Sequence, residues 1–192
     1  MLYWVGLNCS SGSWVTRHLT LAYNAFYKVV CFDVLDAVAS IKNIAGLALN
    51  SNFCFVQGDI TCVEDVTAAL ETYDVDCVLH FAASSHVQES FDNPMGFCDN
   101  NVKGTLVILE AMRSYGKIRR FIHVSTDEVY GQTEGEVAGE NHSLKPTNPY
   151  SASKAAAEML VTAHQKSFGI PAIIVRSNNV YGPHQYPQSE FA

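Results

Sequence analysis

The chain has 192 residues, 48% of them hydrophobic, and a formal net charge of −7; this suits one compact domain and leaves too little length for a second of ordinary size. Only 12 residues are Lys or Arg, spread without a basic stripe, which excludes a nucleic-acid backbone as the expected partner. The opening Met1-Leu-Tyr-Trp-Val-Gly6 has no basic leader and too short an apolar run for a signal peptide or membrane span, so a cytoplasmic protein is expected.

Short apolar runs alternate with longer amphipathic stretches, the pattern of βαβ units feeding a parallel sheet. In chain order the spacing predicts strand Leu2–Val5, helix Trp14–Phe26, strand Lys28–Phe32, helix Ala37–Ala48, strand Phe53–Gln57, helix Val63–Thr72 and strand Cys77–Phe81. Helix Met95–Tyr115, strand Arg120–Val124, helix Tyr150–Phe168 and strand Ala172–Arg176 follow. About six strands, with a helix after each of the first five, predict an α/β fold: a Rossmann-type, doubly wound parallel sheet. Right-handed crossovers set the first and fourth strands side by side, with a cleft outside their carboxyl ends. The stretch Gly131–Pro149, rich in Gly, Glu and Asn, reads as a loop on the cleft rim.

After the first strand, Gly6-Leu-Asn-Cys9-Ser-Ser-Gly12 keeps the outer positions of a glycine-rich phosphate loop and places cysteine in the middle. Glycines there permit the tight turn and the approach of backbone to pyrophosphate. Asp33 ends the second strand, where a carboxylate can take the hydroxyls of an adenosine ribose. Val34 follows instead of Arg, so nothing obvious holds a 2′-phosphate, and NAD is expected rather than NADP. Asp59 and Ile60 close the third strand, in reach of the adenine. The six cysteines (Cys9, Cys31, Cys54, Cys62, Cys77 and Cys98) include no C-x-x-C pair; most are expected to be buried reduced thiols, and no metal site is expected.

Tyr150-Ser-Ala-Ser-Lys154 is the most informative spacing. Residues four apart share one helical face, which brings the ammonium near the phenol. A cation there stabilises the phenolate, so that Tyr150 can take a proton from a substrate hydroxyl as hydride leaves the carbon.

Three strings carry a family resemblance: Val124-Ser-Thr126-Asp127-Glu128-Val-Tyr-Gly131, then Pro146-Thr-Asn-Pro-Tyr150-Ser-Ala-Ser-Lys154-Ala-Ala-Ala-Glu158, then Arg176-Ser-Asn-Asn179-Val-Tyr-Gly-Pro183. They resemble the dTDP-glucose and UDP-glucose 4,6-dehydratases, extended short-chain dehydrogenase/reductases, over about Lys28 to Pro187. The adjacent Asp-Glu sets this group apart from related sugar epimerases. The resemblance implies a catalytic set of Thr126, Asp127, Glu128, Tyr150 and Lys154 acting on a nucleotide sugar. Thr126 would bond the sugar hydroxyl and Tyr150, Asp127 would be the general acid, and Glu128 the base that removes the C5 proton. It also implies that Phe81, Ala82 and Ala83 pass close to NAD, which Gly6, Gly12, Asp33, Asp59, Ile60, Tyr150 and Lys154 would also contact. Ser85, His86 and Asn179 would contact the substrate, and the two long helices would pair subunits in a homodimer.

Residues 1–187 therefore read as an NAD-binding domain and 188–192 as a divergent tail, where the family continues into a substrate domain largely missing here. The expectation is a dehydratase with impaired turnover. The alternatives are an inactive nucleotide-binding or dimerisation module and a nucleotide-sugar epimerase-type reductase.

Overall fold

The computed structural model describes residues 2–5, 10–22, 26–36, 39–133, 135 and 137–180. Strands form at Leu2–Val5 (β1), Lys28–Asp33 (β2), Phe53–Gln57 (β3), Cys77–His80 (β4), Arg120–Thr126 (β5) and Ala172–Ser177 (β6). They make one sheet in the order β3-β2-β1-β4-β5-β6, with every neighbouring pair parallel. β1 and β4 adjoin at the centre, the switch point expected for this topology. In β2 the run Val29–Phe32 is buried residue after residue, as a central parallel strand covered on both faces requires.

Helices occupy Ser10–Ala22 (α1), Val63–Thr72 (α2), Val87–Asp92 (α3), Pro94–Phe97 (α4), Gly104–Tyr115 (α5) and Pro149–Phe168 (α6). α5 packs between α2 and α6. Its buried stripe of Ile108, Leu109 and Met112 closes over Phe32, Leu70, Val78, Phe121 and Val161. Each such side chain contributes about 1.5–3 kcal/mol when removed from water.

Five expectations about elements change. The stretch 37–48 forms no α-helix among its described residues, only a 3-10 helix at Ile41–Leu47; Ala37 and Val38 lie outside the described residues. The buried pair there is Ile44 and Leu47, which packs on Cys31. Residues three apart eclipse in a 3-10 helix, so that winding puts both onto one spot. The expected helix Trp14–Phe26 lies at Ser10–Ala22, which puts Gly12 in its first turn; residues 23–25 lie outside the described residues.

The expected single helix Met95–Tyr115 is interrupted. Asn93 caps α4 by accepting from Gly96 N, Cys98–Lys103 is wound as a π-helix, and α5 begins only at Gly104. β5 runs two residues past Val124 because β6 keeps pairing with it, Ser125 with Arg176 and Thr126 with Ser177. β4 in turn stops at His80, which releases Phe81 into the following loop.

The thiols also differ from expectation. Cys31 and Cys77 are buried, but Cys54 and Cys62 are only partly covered and Cys98 is exposed on the π-helix. No disulfide joins these five, and Cys9 lies outside the described residues. Among the described residues no group of His, Cys, Asp and Glu could hold a metal ion, and no helix is long and apolar enough to cross a membrane.

Candidate active site

The carboxyl end of β5 and the amino end of α6 meet. α6 starts where it does because Asn148 is its N-cap and Pro149 its first residue, a position where a missing N–H costs nothing. The cap is reciprocal: Ser151 N donates to Asn148 Oδ1 at 2.8 Å, and Asn148 N donates to Ser151 Oγ at 3.3 Å. Tyr150 is therefore held in the first turn, buried, with its ring edge-on to Phe97 at 6.3 Å between centroids. One turn on, buried Lys154 donates from Nζ to Val124 O at 2.8 Å.

Thr126, the last residue of β5, caps a 3-10 helix at Asp127–Tyr130, its Oγ1 accepting from Glu128 N at 3.2 Å. The same hydroxyl donates to Asp127 Oδ1 at 3.4 Å. Both carboxylates are partly exposed. Glu128 Oε2 accepts from Asn148 Nδ2 at 3.1 Å, which joins the acid pair to the helix of Tyr150 and Lys154.

Beneath this cluster two histidines are sealed in the sheet. His80 and His123 are register partners on β4 and β5 with ring centroids 5.3 Å apart, and both are buried. Burial, and then the positive charge of Lys154, pushes His80 down to about 3. The same causes, with His80 added, hold His123 well below its ordinary value. Thr105 Oγ1 donates its only proton to Asn101 O at 2.6 Å, so at the 3.0 Å contact with His80 Nε2 it can only accept. The neutral His80 ring therefore carries its proton on Nε2. Neither ring nitrogen of His123 has a hydrogen-bond partner among the described residues.

The cofactor side is built more from turns. Buried Asp33 accepts from Leu35 N at 2.8 Å through Oδ1, and its carbonyl accepts from Gly58 N at 3.1 Å. A cavity opens beside it, lined by Val34, Gly58, Asp59, Ile60, Ala82 and Asn100. A Cβ on Gly58 would meet the buried Phe32 ring at 2.5 Å, so only glycine lets the chain after β3 lie this close to the core. A carboxylate at a strand end, with small and apolar neighbours, is a group that could take the hydroxyls of a ribose. Asp59 also serves its own turn, with Oδ1 accepting from Thr61 N at 2.7 Å, while Ile60 points into the core against Gly104.

The loop after β4 joins the two sides. Ser84 N donates to Asn101 Oδ1 at 2.8 Å, and Ser84 O accepts from Asn101 Nδ2 at 2.9 Å. Ser84 Oγ accepts from Asn100 Nδ2 at 2.9 Å. Asn101 Nδ2 also reaches Ser153 Oγ on α6 at 2.8 Å. The π winding presents both asparagines to one serine, in keeping with the concentration of π-bulges at functional sites.

The structure thus brings Thr126, Asp127, Glu128, Tyr150 and Lys154 to one end of the sheet, and Asp33, Asp59, Ile60 and Ala82 around one cavity. Phe81 and Ala83 are half-buried in the loop after β4 and do not line that cavity. Ser85 is exposed; His86 caps α3, its Nδ1 accepting from Glu89 N at 3.4 Å. Asn179 is exposed beyond β6, its N–H donating to Asn178 Oδ1 at 2.6 Å. Gly6, Cys9 and the tail 188–192 lie outside the described residues.

Sequence reasoning missed Asn100, Asn101 as a clamp, and Asn148. For Asn148 the signal was present, since Asn-Pro ahead of a helical pattern is an N-cap with Pro at the first position. It also left without a role the pair of Arg176 with buried Glu158, whose Nη2 to Oε2 distance is 2.6 Å. Arg176 stacks on Tyr130, 4.9 Å from its ring centroid, and donates to the Tyr130 hydroxyl at 2.8 Å, which anchors the acid-bearing turn.

The chain is similar to known proteins over most of its length. A family model described as GDP-mannose 4,6 dehydratase matches residues 5–191. A trifunctional UDP-glucose 4,6-dehydratase/UDP-4-keto-6-deoxy-D-glucose 3,5-epimerase/UDP-4-keto-L-rhamnose-reductase of Arabidopsis thaliana is 51% identical over 165 residues, 84% of this chain and 25% of that protein. A human dTDP-D-glucose 4,6-dehydratase is 44% identical over 162 residues, 84% of this chain and 46% of its own length. Among solved structures, a dTDP-glucose 4,6-dehydratase from Streptomyces venezuelae with NAD bound superposes with a TM-score of 0.92 at 34% identity, covering 98% of this chain and 59% of that one. The chain therefore spans from a quarter to about three fifths of the proteins it matches.

Proposed function

The chain belongs to the GDP-mannose 4,6 dehydratase family, and from that premise we propose that it is the nucleotide-binding and reactive part of an NAD-dependent 4,6-dehydratase of UDP- or dTDP-glucose. The observation that carries the reading is the hydrogen bond joining Glu128 to the cap of the helix that bears Tyr150 and Lys154. It couples an acid pair to an oxidising pair in one site, and dehydration needs both.

When bound, NAD supplies an acceptor for the hydride of sugar C4 and later a hydride for C6, so none is consumed. Tyr150, with the Lys154 ammonium one turn away, takes the C4 hydroxyl proton as the carbon is oxidised. Thr126 holds that hydroxyl. The C4 carbonyl acidifies the proton at C5, which Glu128 removes as a carboxylate. The C5–H electron pair becomes the C5=C6 double bond, the C6–O bond breaks, and Asp127 gives its proton to the leaving hydroxyl, which departs as water. Glu128 then returns a proton to C5 while C6 is reduced, leaving the 4-keto-6-deoxy sugar. Asp33, Asp59, Ile60 and Ala82 would hold the adenosine half of NAD, with Gly6 and Gly12 at its pyrophosphate and Phe81 and Ala83 nearby. Ser85, His86 and Asn179 are proposed substrate contacts.

The same reading includes a homodimer through α5 and α6, supported by the exposed apolar side chains of Leu106 and Met159 on those helices, and a cytoplasmic setting in keeping with the thiol usage. The test is incubation with NAD and either UDP-glucose or dTDP-glucose, following the 4-keto-6-deoxy product. Product from one of the two sugars supports the reading; NAD binding by calorimetry without product from either contradicts it.

A further inference from the structure

Asn148 occupies two hydrogen-bonding positions at once, and each fixes the other. A side-chain amide has one acceptor and one donor end, and its orientation is settled by its partners. Ser151 N is a backbone donor at 2.8 Å, so it demands Oδ1. The NH₂ group is thereby turned away from the helix, and the group it meets is Glu128 Oε2 at 3.1 Å. The arrangement is stiff from both sides. Pro149 fixes the backbone after the cap, and the capping box adds a second bond between Asn148 and Ser151. Across the gap, Glu128 is held by its own N–H on Thr126 Oγ1 at 3.2 Å.

We propose that Asn148 is a positioning residue for Glu128: the cap of α6 aims an amide donor at one carboxylate oxygen, which sets the other oxygen relative to Tyr150 and Lys154 on the same helix. The inference rests on the dehydratase reading, in which Glu128 is the C5 base, but the contact itself does not. A carboxylate on a short flexible stem samples several rotamers, and a donor fixed by a helix cap selects one of them. Because the donor belongs to the helix that carries the proton acceptor for C4, the base for C5 is referenced to the same rigid element. Reacting groups gain most from being held at the attack distance before the chemistry begins.

The residue choices at position 148 separate this role from ordinary capping. Asn, Asp and Ser are comparable N-caps, but Ser is too short to reach Glu128, and Asp replaces the donor with a like charge. Asn148→Ser and Asn148→Asp should therefore both retain the helix and the melting temperature. The first readout needs no substrate: the side-chain carboxyl carbon of Glu128 followed by NMR in the full chain. The expected result is that this resonance moves in Asn148→Ser and stays in place in Ser151→Ala, which weakens the cap without removing the donor. The second is kinetic, in the dehydratase assay. Asn148→Ser should lower kcat about tenfold to hundredfold, the worth of one hydrogen bond to a charged group, with KM changed less than twofold, and Asn148→Asp should lower it further. A Glu128 carbon unmoved by Asn148→Ser overturns the proposal, as does wild-type kcat in Asn148→Ser. If the wild-type chain forms no product, the dehydratase reading fails, and the NMR comparison still decides whether Asn148 positions Glu128.

Discussion

The reactive end and the cofactor end of the sheet are held by different means. Around Tyr150 the local caps at Thr126 and Asn148 are tied together by bonds to distant partners: Asn148 to Glu128, Lys154 to Val124, Asn101 to Ser153. Around Asp33 they are mostly turns that a residue makes with its own neighbours, Asp33 with Leu35 and Asp59 with Thr61. A network of distant partners needs particular residues at each node, so it leaves a readable string in the sequence. A turn needs only a conformation, which several residues supply. The reactive half is accordingly the half that identifies the family, and the half where single substitutions should cost most.

That contrast can be broken from its strong side first. Glu128→Gln removes the proposed base while keeping the volume, and turnover should fall about 10²- to 10⁴-fold with little change in melting temperature. A variant at undiminished rate removes Glu128 from the mechanism. Arg176→Leu leaves the Glu158 carboxylate buried without its cation, and chemical denaturation should show a loss of about 3–5 kcal/mol. A loss under about 1 kcal/mol would mean that the pair does not anchor the turn at Tyr130. On the cofactor side, Asp33→Ala should weaken NAD binding about tenfold to hundredfold, the scale of hydrogen bonds to a charged group, read by calorimetry. Unchanged affinity would move the ribose site away from β2.

The last effect is a pH dependence. His80 is lowered to about 3 and His123 is lowered as well, both chiefly by burial. The unfolded chain takes up their protons near 6.5 and the folded one does not, so their contribution is complete above that pH and is lost as pH falls from 6.5 toward 3. His80 should add a slope of about 1.4 kcal/mol per pH unit inside that window, and His123 acts in the same direction. Stability measured between pH 6 and pH 4 should drop, and His123→Phe should make that drop shallower. An identical slope in that variant would show that other groups set the acid limit.

The strands and the helix of Tyr150 were legible in the sequence because each follows from a local pattern: a continuous apolar run for β2, and the four-residue spacing of Tyr150 and Lys154 for α6. What was not legible depends on distant partners. The 3-10 winding at Ile41–Leu47 answers to Cys31 across the sheet, and the π winding at Cys98–Lys103 answers to Ser84. Neither partner is visible from inside its segment. In the candidate site, Thr126, Asp127, Glu128, Tyr150 and Lys154 could be named from their strings, but the amide that joins the acids to the helix could not. It was written in the sequence as a cap, and only the fold shows what its other end touches.

The most direct test of one site performing oxidation, dehydration and reduction uses UDP-glucose or dTDP-glucose deuterated at C4, incubated with NAD in ordinary water. The expected product is a 4-keto-6-deoxy sugar with the deuterium carried from C4 to C6. Deuterium found back at C4 of an epimerised sugar, or a product unlabelled at C6, would contradict that expectation.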